Sequence, residues 1–301
     1  MVLNRAPSGT VPSPDDGSVD SLAQGTPFRY LEHVNPPPSH QTFGLAWVDG
    51  LAPQGRISFT TAEARTAHGG SAKAVQAVLR RLRNKNEIAT PLRGFHVALP
   101  PEYRRLGCLP ALWFIDDLSI FLGMPYYAAL LSAAELHGAA HQRPQTFQVM
   151  LARPQRPVVC GGVRIDFVQR SNLERAPTLT RNTPKGIVRV ATPELTAFDL
   201  VGYPQHVGGL GNTATILVEL ADELDPRALT DVAEISPLPW AQRLGFLLEL
   251  VGASDQSEVL ADWVSERSPA FCALDTAGLT GEHPRDARWK LVVNTTVEPD
   301  Q

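Results

Sequence analysis

Apolar positions change their period twice between Phe43 and Ala98. Phe43, Leu45, Ala46, Val48 and Leu51 fall near helical spacing and predict a first helix that ends about Gly55. Ser58-Phe59-Thr60-Thr61 precedes Ala62-Glu63-Ala64, an N-cap signal that starts a second helix about Thr61 and ends at His68-Gly69-Gly70. Ser71 then caps a third helix, Ala72 to about Asn86, in which Val75, Val78, Leu79 and Leu82 make one stripe at i, i+3, i+4 and i+7. The period next shortens to that of a ribbon: Glu87–Thr90, a turn over Pro91–Gly94, and Phe95–Ala98.

Three helices followed by a ribbon is the layout of a winged helix-turn-helix domain, expected over residues 41–100. Pro100-Pro101 reads as the joint to a second domain, 101–295. There Leu112–Leu122 and Tyr126–His137 read as a helical pair separated by Gly123 and Pro125, and Phe147–Leu151, Pro157–Cys160 and Val163–Val168 as strands. Gly161-Gly162 turns between the last two of these, and Gly186–Val190 is a further short strand. Thr192-Pro193-Glu194 combines a hydroxyl cap, proline at the first helical position and an acid in the first turn, so a helix runs from there through Val201. Helices over Thr213–Leu224, Pro226–Ile235, Trp240–Leu250 and Ser257–Ser265 and a last strand at Trp289–Val293 complete an α+β fold: an N-terminal winged helix-turn-helix domain followed by a mixed α/β domain. Residues 1–40 hold seven prolines and five serines and read as a disordered tail, and 296–301 as a frayed acidic end.

Charge sharpens this division. The net charge of -4 argues against a nucleic-acid binder, but it is unevenly spread. Arg56 to Arg105 holds ten Lys/Arg and three acids, and the rest of the chain 17 basic and 28 acidic residues, so a +7 segment lies in a -11 remainder. Lys73, Gln76, Arg80, Arg81, Arg83 and Asn84 lie off the apolar stripe of the third helix, and Arg93 sits at the ribbon turn. Arg and Lys reach guanine edges or phosphates and Gln or Asn reads adenine, so these seven are the candidate DNA contacts. Exposed helix faces are also commonly basic, and winged modules also bind proteins.

Catalytic and metal chemistry find little support. His137 and His141 stand at i,i+4 without further ligands, so packing or capping is expected of them, with no metal or other cofactor. Asp116-Asp117 are neighbours that do not share a helix face and are expected on a helix surface. Asp166 lies on a strand without the acid-x-Lys a nuclease centre wants, and Gly208-Gly209-Leu210-Gly211 lacks the Gly-Lys-Ser/Thr ending of a phosphate loop. Asp199, in an otherwise apolar helix, reads as a buried structural acid in preference to a partner contact. No nucleophile and base come together, so no enzyme is expected. Cys108, Cys160 and Cys272 are scattered, odd in number and form no CxxC pair, so neither a zinc cluster nor a disulfide framework is expected, and with an N-terminus that lacks a signal-peptide core this fits a reducing cytoplasm.

Leu131-Ser132-Ala133-Ala134-Glu135-Leu136-His137-Gly138-Ala139-Ala140-His141-Gln142, followed by Pro144-Gln145-Thr146-Phe147-Gln148-Val149, resembles the hallmark block of the AbiEi family. These are antitoxins of the bacterial AbiE type IV toxin–antitoxin, abortive-infection (phage defence) systems. Thr192-Pro193-Glu194-Leu195-Thr196-Ala197-Phe198-Asp199-Leu200-Val201 is similar to a second block, and Gln242-Arg243-Leu244-Gly245-Phe246-Leu247-Leu248-Glu249 to a third. Gly94-Phe95 and Pro100-Pro101-Glu102-Tyr103 resemble the end of the family's winged domain, so the likeness spans roughly residues 42–252 in the family's order. It implies a repressor of its own operon. A protomer free in solution would bind cooperatively to promoter inverted repeats in double-stranded DNA, while the C-terminal domain counters a nucleotidyltransferase-like toxin. His137, His141, Gln145, Thr192, Glu194, Asp199 and Arg243 are the motif positions it marks in the antitoxin domain. The Pro/Ser-rich tail and the segment after about residue 252 depart from the family pattern. A stand-alone winged-helix regulator with a ligand-sensing C-terminal domain is the alternative.

Overall fold

The computed structural model describes residues 43–139, 144–267, 270–278 and 281–299; the expected N-terminal tail and His141 lie outside them. The fold is mixed α+β, with helices set against three sheets.

The N-terminal module begins with α1 (Leu45–Asp49), shorter than expected because Pro53 confines the following residues to a single tight turn at Ala52–Gln54. A strand that the pattern had not separated, β1 (Ser58–Thr60), leads into α2 (Thr61–His68). Thr60 and Glu63 form a reciprocal capping box there, the side chain of Thr60 accepting from Glu63 N at 3.1 Å and that of Glu63 from Thr60 N at 2.7 Å. Gly69, at φ +65°, closes α2 in the left-handed conformation a helix C-terminus commonly takes. Ser71 caps α3 (Ala72–Asn84), accepting from Ala74 N at 3.2 Å, and the hairpin β2 (Ile88–Leu92) and β3 (Phe95–Ala98) follows. Strand order is β1-β3-β2, all antiparallel.

A small core fills this module. Phe43, Trp47 and Phe59 meet edge to face at centroid distances of 5.2 to 6.0 Å, and Val75, Leu79, Leu82 and Ile88 pack beside them. The other face of the hairpin joins a second, larger core. Ile57, Ala89, Phe95, Val97 and Leu99 pack in one cluster with α4 (Ala111–Leu122), and the ring of Phe95 lies 5.5 Å from Phe121 and 6.3 Å from Phe114. One core therefore continues on both sides of Pro100-Pro101, although the joint itself lies at the surface.

The second sheet has six strands, in the order β6-β7-β5-β4-β9-β8. They are β4 (Tyr126–Ala128), β5 (Phe147–Leu151), β6 (Val158–Cys160), β7 (Val163–Gln169), β8 (Thr178–Thr183) and β9 (Gly186–Ala191). Pairing is mixed, with β5–β7 and β4–β9 parallel and the other neighbours antiparallel. The expected helix over Tyr126–His137 is thus a strand followed by the short helix α5 (Leu130–Leu136). Tyr126, Tyr127 and Ala128 are buried on both sheet faces, so their continuous apolar run carries no period.

Helices α6 (Pro193–Gly202), α7 (Gly209–Leu220), α8 (Pro226–Glu234), α9 (Leu238–Leu250) and α10 (Ser254–Glu266) follow. Thr192 caps α6 as expected, accepting from Leu195 N at 3.2 Å, and Asp225 caps α8 from Arg227 N and Ala228 N. The chain ends in a third, small sheet: β10 (Cys272–Ala273), β11 (Arg285–Asp286) and β12 (Leu291–Val292), in the order β10-β12-β11. Trp289 anchors it against α9, where a Cβ on Gly245 would stand 1.9 Å from the indole. Only glycine fits there.

Candidate functional site

Helix α3 separates cleanly into two sides. Val75, Leu79 and Leu82 are buried, and the helix packs against α2 and β2. Lys73, Gln76, Arg80, Arg83 and Asn84 are all exposed and, at 100° per residue, fall within about 100° of one another on the opposite side; Arg81 is exposed on the flank. None of the four cations on α3 has an acidic partner among the described residues. A solvated face with four unneutralised cations and two amides is what phosphate and base-edge contacts require.

Arg93 is placed differently. It is exposed at the hairpin turn, but its neighbour Gly94 (φ +94°) accepts from Thr61 N at 2.9 Å, and a Cβ there would lie 3.3 Å from Phe121. The turn is held between the start of α2 and α4. It is short and buttressed.

Beneath that surface His96, only 5 % exposed, meets Thr61 Oγ1 at 2.9 Å through Nε2 and Thr90 Oγ1 at 3.0 Å through Nδ1, and stacks on Phe59. Burial, with the Arg83 charge adding to it, lowers its pKa to about 4. Sequence reasoning missed this residue, because alternation alone does not tell a buried His from a buried apolar one.

The motif positions from His137 to Arg243 mostly build structure. His137 Nε2 lies 2.7 Å from the Ala191 carbonyl and Arg181 is 3.0 Å from Nδ1; burial lowers its pKa. Glu194, 5 % exposed, accepts from Asp225 N at 2.9 Å and so ties α6 to the start of α8. Arg243 Nε donates to the Ala273 carbonyl at 3.0 Å, while its neighbour Gln242 donates to the carbonyls of Trp289 and Lys290, so the third block holds the terminal sheet. Gln145 is exposed.

Asp199 is fully buried in an ion pair with Arg170 and accepts from the Tyr127 hydroxyl at 3.0 Å. Burial raises its carboxyl to about 6, against the pull of the guanidinium and the hydroxyl. Arg170 also donates to Ser236 Oγ at 3.4 Å and lies 5.4 Å from the Trp240 ring centroid. Nothing in the sequence names Arg170 as the partner, since it sits 29 residues earlier at the end of another strand.

Of the weaker candidates, Asp166 pairs with Arg164 at 3.0 Å on its own strand. Asp117 is no plain surface acid: Ser58 Oγ donates to its Oδ2 at 2.6 Å, and burial raises its pKa. No cluster of three or more His, Cys, Asp or Glu able to hold a metal occurs among the described residues, nor any helix long and apolar enough to cross a membrane.

Residues 127–250 match the model of the AbiEi antitoxin C-terminal domain. The chain carries an AbiEi antitoxin domain. The matched span runs from β4 to the end of α9 and contains all three sequence blocks; residues 43–126 and the terminal sheet lie outside it. No curated protein matches the sequence. Among solved structures, the RV2827C protein from Mycobacterium tuberculosis is similar at a TM-score of 0.55 and 18% identity, over 81% of this chain and 88% of that one. At that identity the likeness concerns the fold alone. An antigenic nucleotidyltransferase-like protein from Paracoccidioides brasiliensis aligns at a TM-score of 0.28 and 11% identity, over 52% of this chain and 87% of that one, too distant for any argument.

Proposed function

We propose that this AbiEi-domain protein is an autoregulating antitoxin that acts by binding rather than by catalysis. In this reading residues 43–98 are a winged helix-turn-helix and α3 is its recognition helix, entering the major groove of inverted repeats in the promoter of its own operon. Lys73, Arg80, Arg81 and Arg83 take phosphates or guanine edges, and Gln76 and Asn84 are placed for adenine. Arg93, on its buttressed turn, makes one phosphate contact. The domain from residue 101 counters a cognate nucleotidyltransferase-like toxin.

One observation carries the DNA half: the exposed, unneutralised basic face of α3 opposite its buried seam. The matched domain carries the antitoxin half. Co-expression with the nucleotidyltransferase gene next to its own tests that half. Growth is expected to recover with the wild-type chain and also with Arg80→Ala/Arg83→Ala, because the two functions occupy different surfaces. Continued arrest with the wild-type chain would refute it.

A further inference from the structure

Leu106–Cys108, the segment that leaves the N-terminal hairpin, lies against Cys160–Gly162 at the β6–β7 turn. Gly162 N donates to the Leu106 carbonyl at 2.8 Å. One step along, Gly107 and Gly161 touch backbone to backbone: a Cβ on Gly161 would lie 2.8 Å from Gly107 Cα and 2.3 Å from the Leu106 carbonyl oxygen. Both glycines are left-handed, at φ +77° and +54°, so no side chain holds the two segments apart. Cys108 follows Gly107 and Cys160 precedes Gly161, so this contact brings the two cysteines to neighbouring positions. A disulfide bridges Cα atoms about 4.4–6.8 Å apart, so two cysteines can join only where the chain segments approach closely, as these two do. The two thiols are near enough for each to shift the other's titration.

Their exposure differs in a useful way. Cys108 is fully buried and Cys160 is partly exposed at the sheet edge, so a solute in water reaches Cys160 first. Cys272 is remote from both in its contacts, its sulfur lying 3.5 Å from Gln242 Oε1.

We propose that Cys160 and Cys108 form a thiol–disulfide exchange site that accepts low-molecular-weight disulfides such as oxidised glutathione, with Cys160 the attacking sulfur and Cys108 the resolving one. The Cys160 thiolate attacks one sulfur of oxidised glutathione, the glutathione S–S bond breaks, and one glutathione leaves as thiolate and takes a proton. Cys108 then gives up its proton and attacks Sγ of Cys160 in the mixed disulfide, releasing the second glutathione. Two protein thiols lose two electrons and two protons, and one oxidised glutathione becomes two reduced molecules. The charge distribution suits these roles: the Cys108 thiol, with the Thr90 backbone N–H also helping, brings Cys160 down to about 7, while donation to Cys160 and burial push Cys108 up. Oxidation would staple the exit of the N-terminal hairpin to the antitoxin sheet. This inference does not depend on the DNA reading.

The test is a thiol map of the full chain, equilibrated natively in glutathione buffers from reducing to oxidising, acid-quenched, alkylated with iodoacetamide and read by peptide mass spectrometry. A crosslinked Cys108–Cys160 peptide is expected in oxidising buffer, with Cys272 still alkylated. In Cys108→Ala the reaction should stop at a Cys160–glutathione adduct, its yield up by about tenfold over wild type because nothing resolves it. Cys160→Ala should leave Cys108 unmodified. The wild-type map decides the matter even where a variant folds poorly. Persistent alkylation of both thiols in oxidising buffer, or a wild-type glutathione adduct that never resolves, would overturn the proposal.

Discussion

Ser58 Oγ donates a 2.6 Å hydrogen bond to Asp117 Oδ2, joining the first strand of the N-terminal module to α4. The two residues are 59 positions apart and sit on opposite sides of the Pro100-Pro101 joint. With Phe95 against Phe114 and Phe121, this bond makes the basic module part of one packed body with the helix beside the antitoxin sheet. Ser58→Ala removes the donor and leaves a largely buried carboxylate short of a partner. It is expected to cost about 1–3 kcal/mol in urea unfolding, and Asp117→Asn, which still accepts the bond, about 1 kcal/mol or less. Equal losses in the two variants would show that the bond does not matter.

His96 makes the N-terminal module sensitive to acid. Its folded pKa, about 4, lies below the unfolded value of 6.5, so the unfolded chain binds the extra proton between those limits. The stability that comes from keeping His96 neutral is complete above pH 6.5 and is lost as pH falls toward 4, about 3 kcal/mol in all. Thermal unfolding of the wild type across that window should show the loss, and His96→Gln should flatten it. An unchanged slope in the variant would assign the titration elsewhere.

Removing one member of the buried ion pair is costly, and removing both is less so. Asp199→Ala strands the Arg170 guanidinium among Tyr127, Tyr203 and Trp240 and should destabilise by about 3–5 kcal/mol. The double variant Arg170→Met with Asp199→Leu should recover much of that loss in the same denaturation experiment. A double variant as unstable as the single one would mean that Tyr127 and Ser236, not the charges, set the cost.

These relationships also show what the residue pattern disclosed. Capped, amphipathic helices were readable because their information is local: Thr60 with Glu63, Ser71, and Thr192 with Pro193 each declare a helix start within four residues. The basic face of α3 was readable for the same reason. Three kinds of element were hidden. The interior strand at Tyr126–Ala128 lost its period to burial on both faces. The edge strand β8 is mostly polar, with only Leu179 to mark it, and β10 and β11 of the terminal sheet, two residues each, are too short to repeat anything, while β12 falls inside the expected strand Trp289–Val293. Partners distant in sequence, Arg170 for Asp199, Asp117 for Ser58 and Cys160 for Cys108, are set by the sheet order and not by spacing.

The central claim is that α3 binds DNA through its exposed face. Fluorescence anisotropy with the chain's own promoter fragment, titrated from low to high salt, tests it directly. With about five phosphates neutralised, log affinity should fall against log salt with a slope of about -4.5, and Arg80→Ala/Arg83→Ala should weaken binding and reduce the slope by roughly 2. No binding at low salt, or affinity and slope unchanged by the double substitution, would contradict the account.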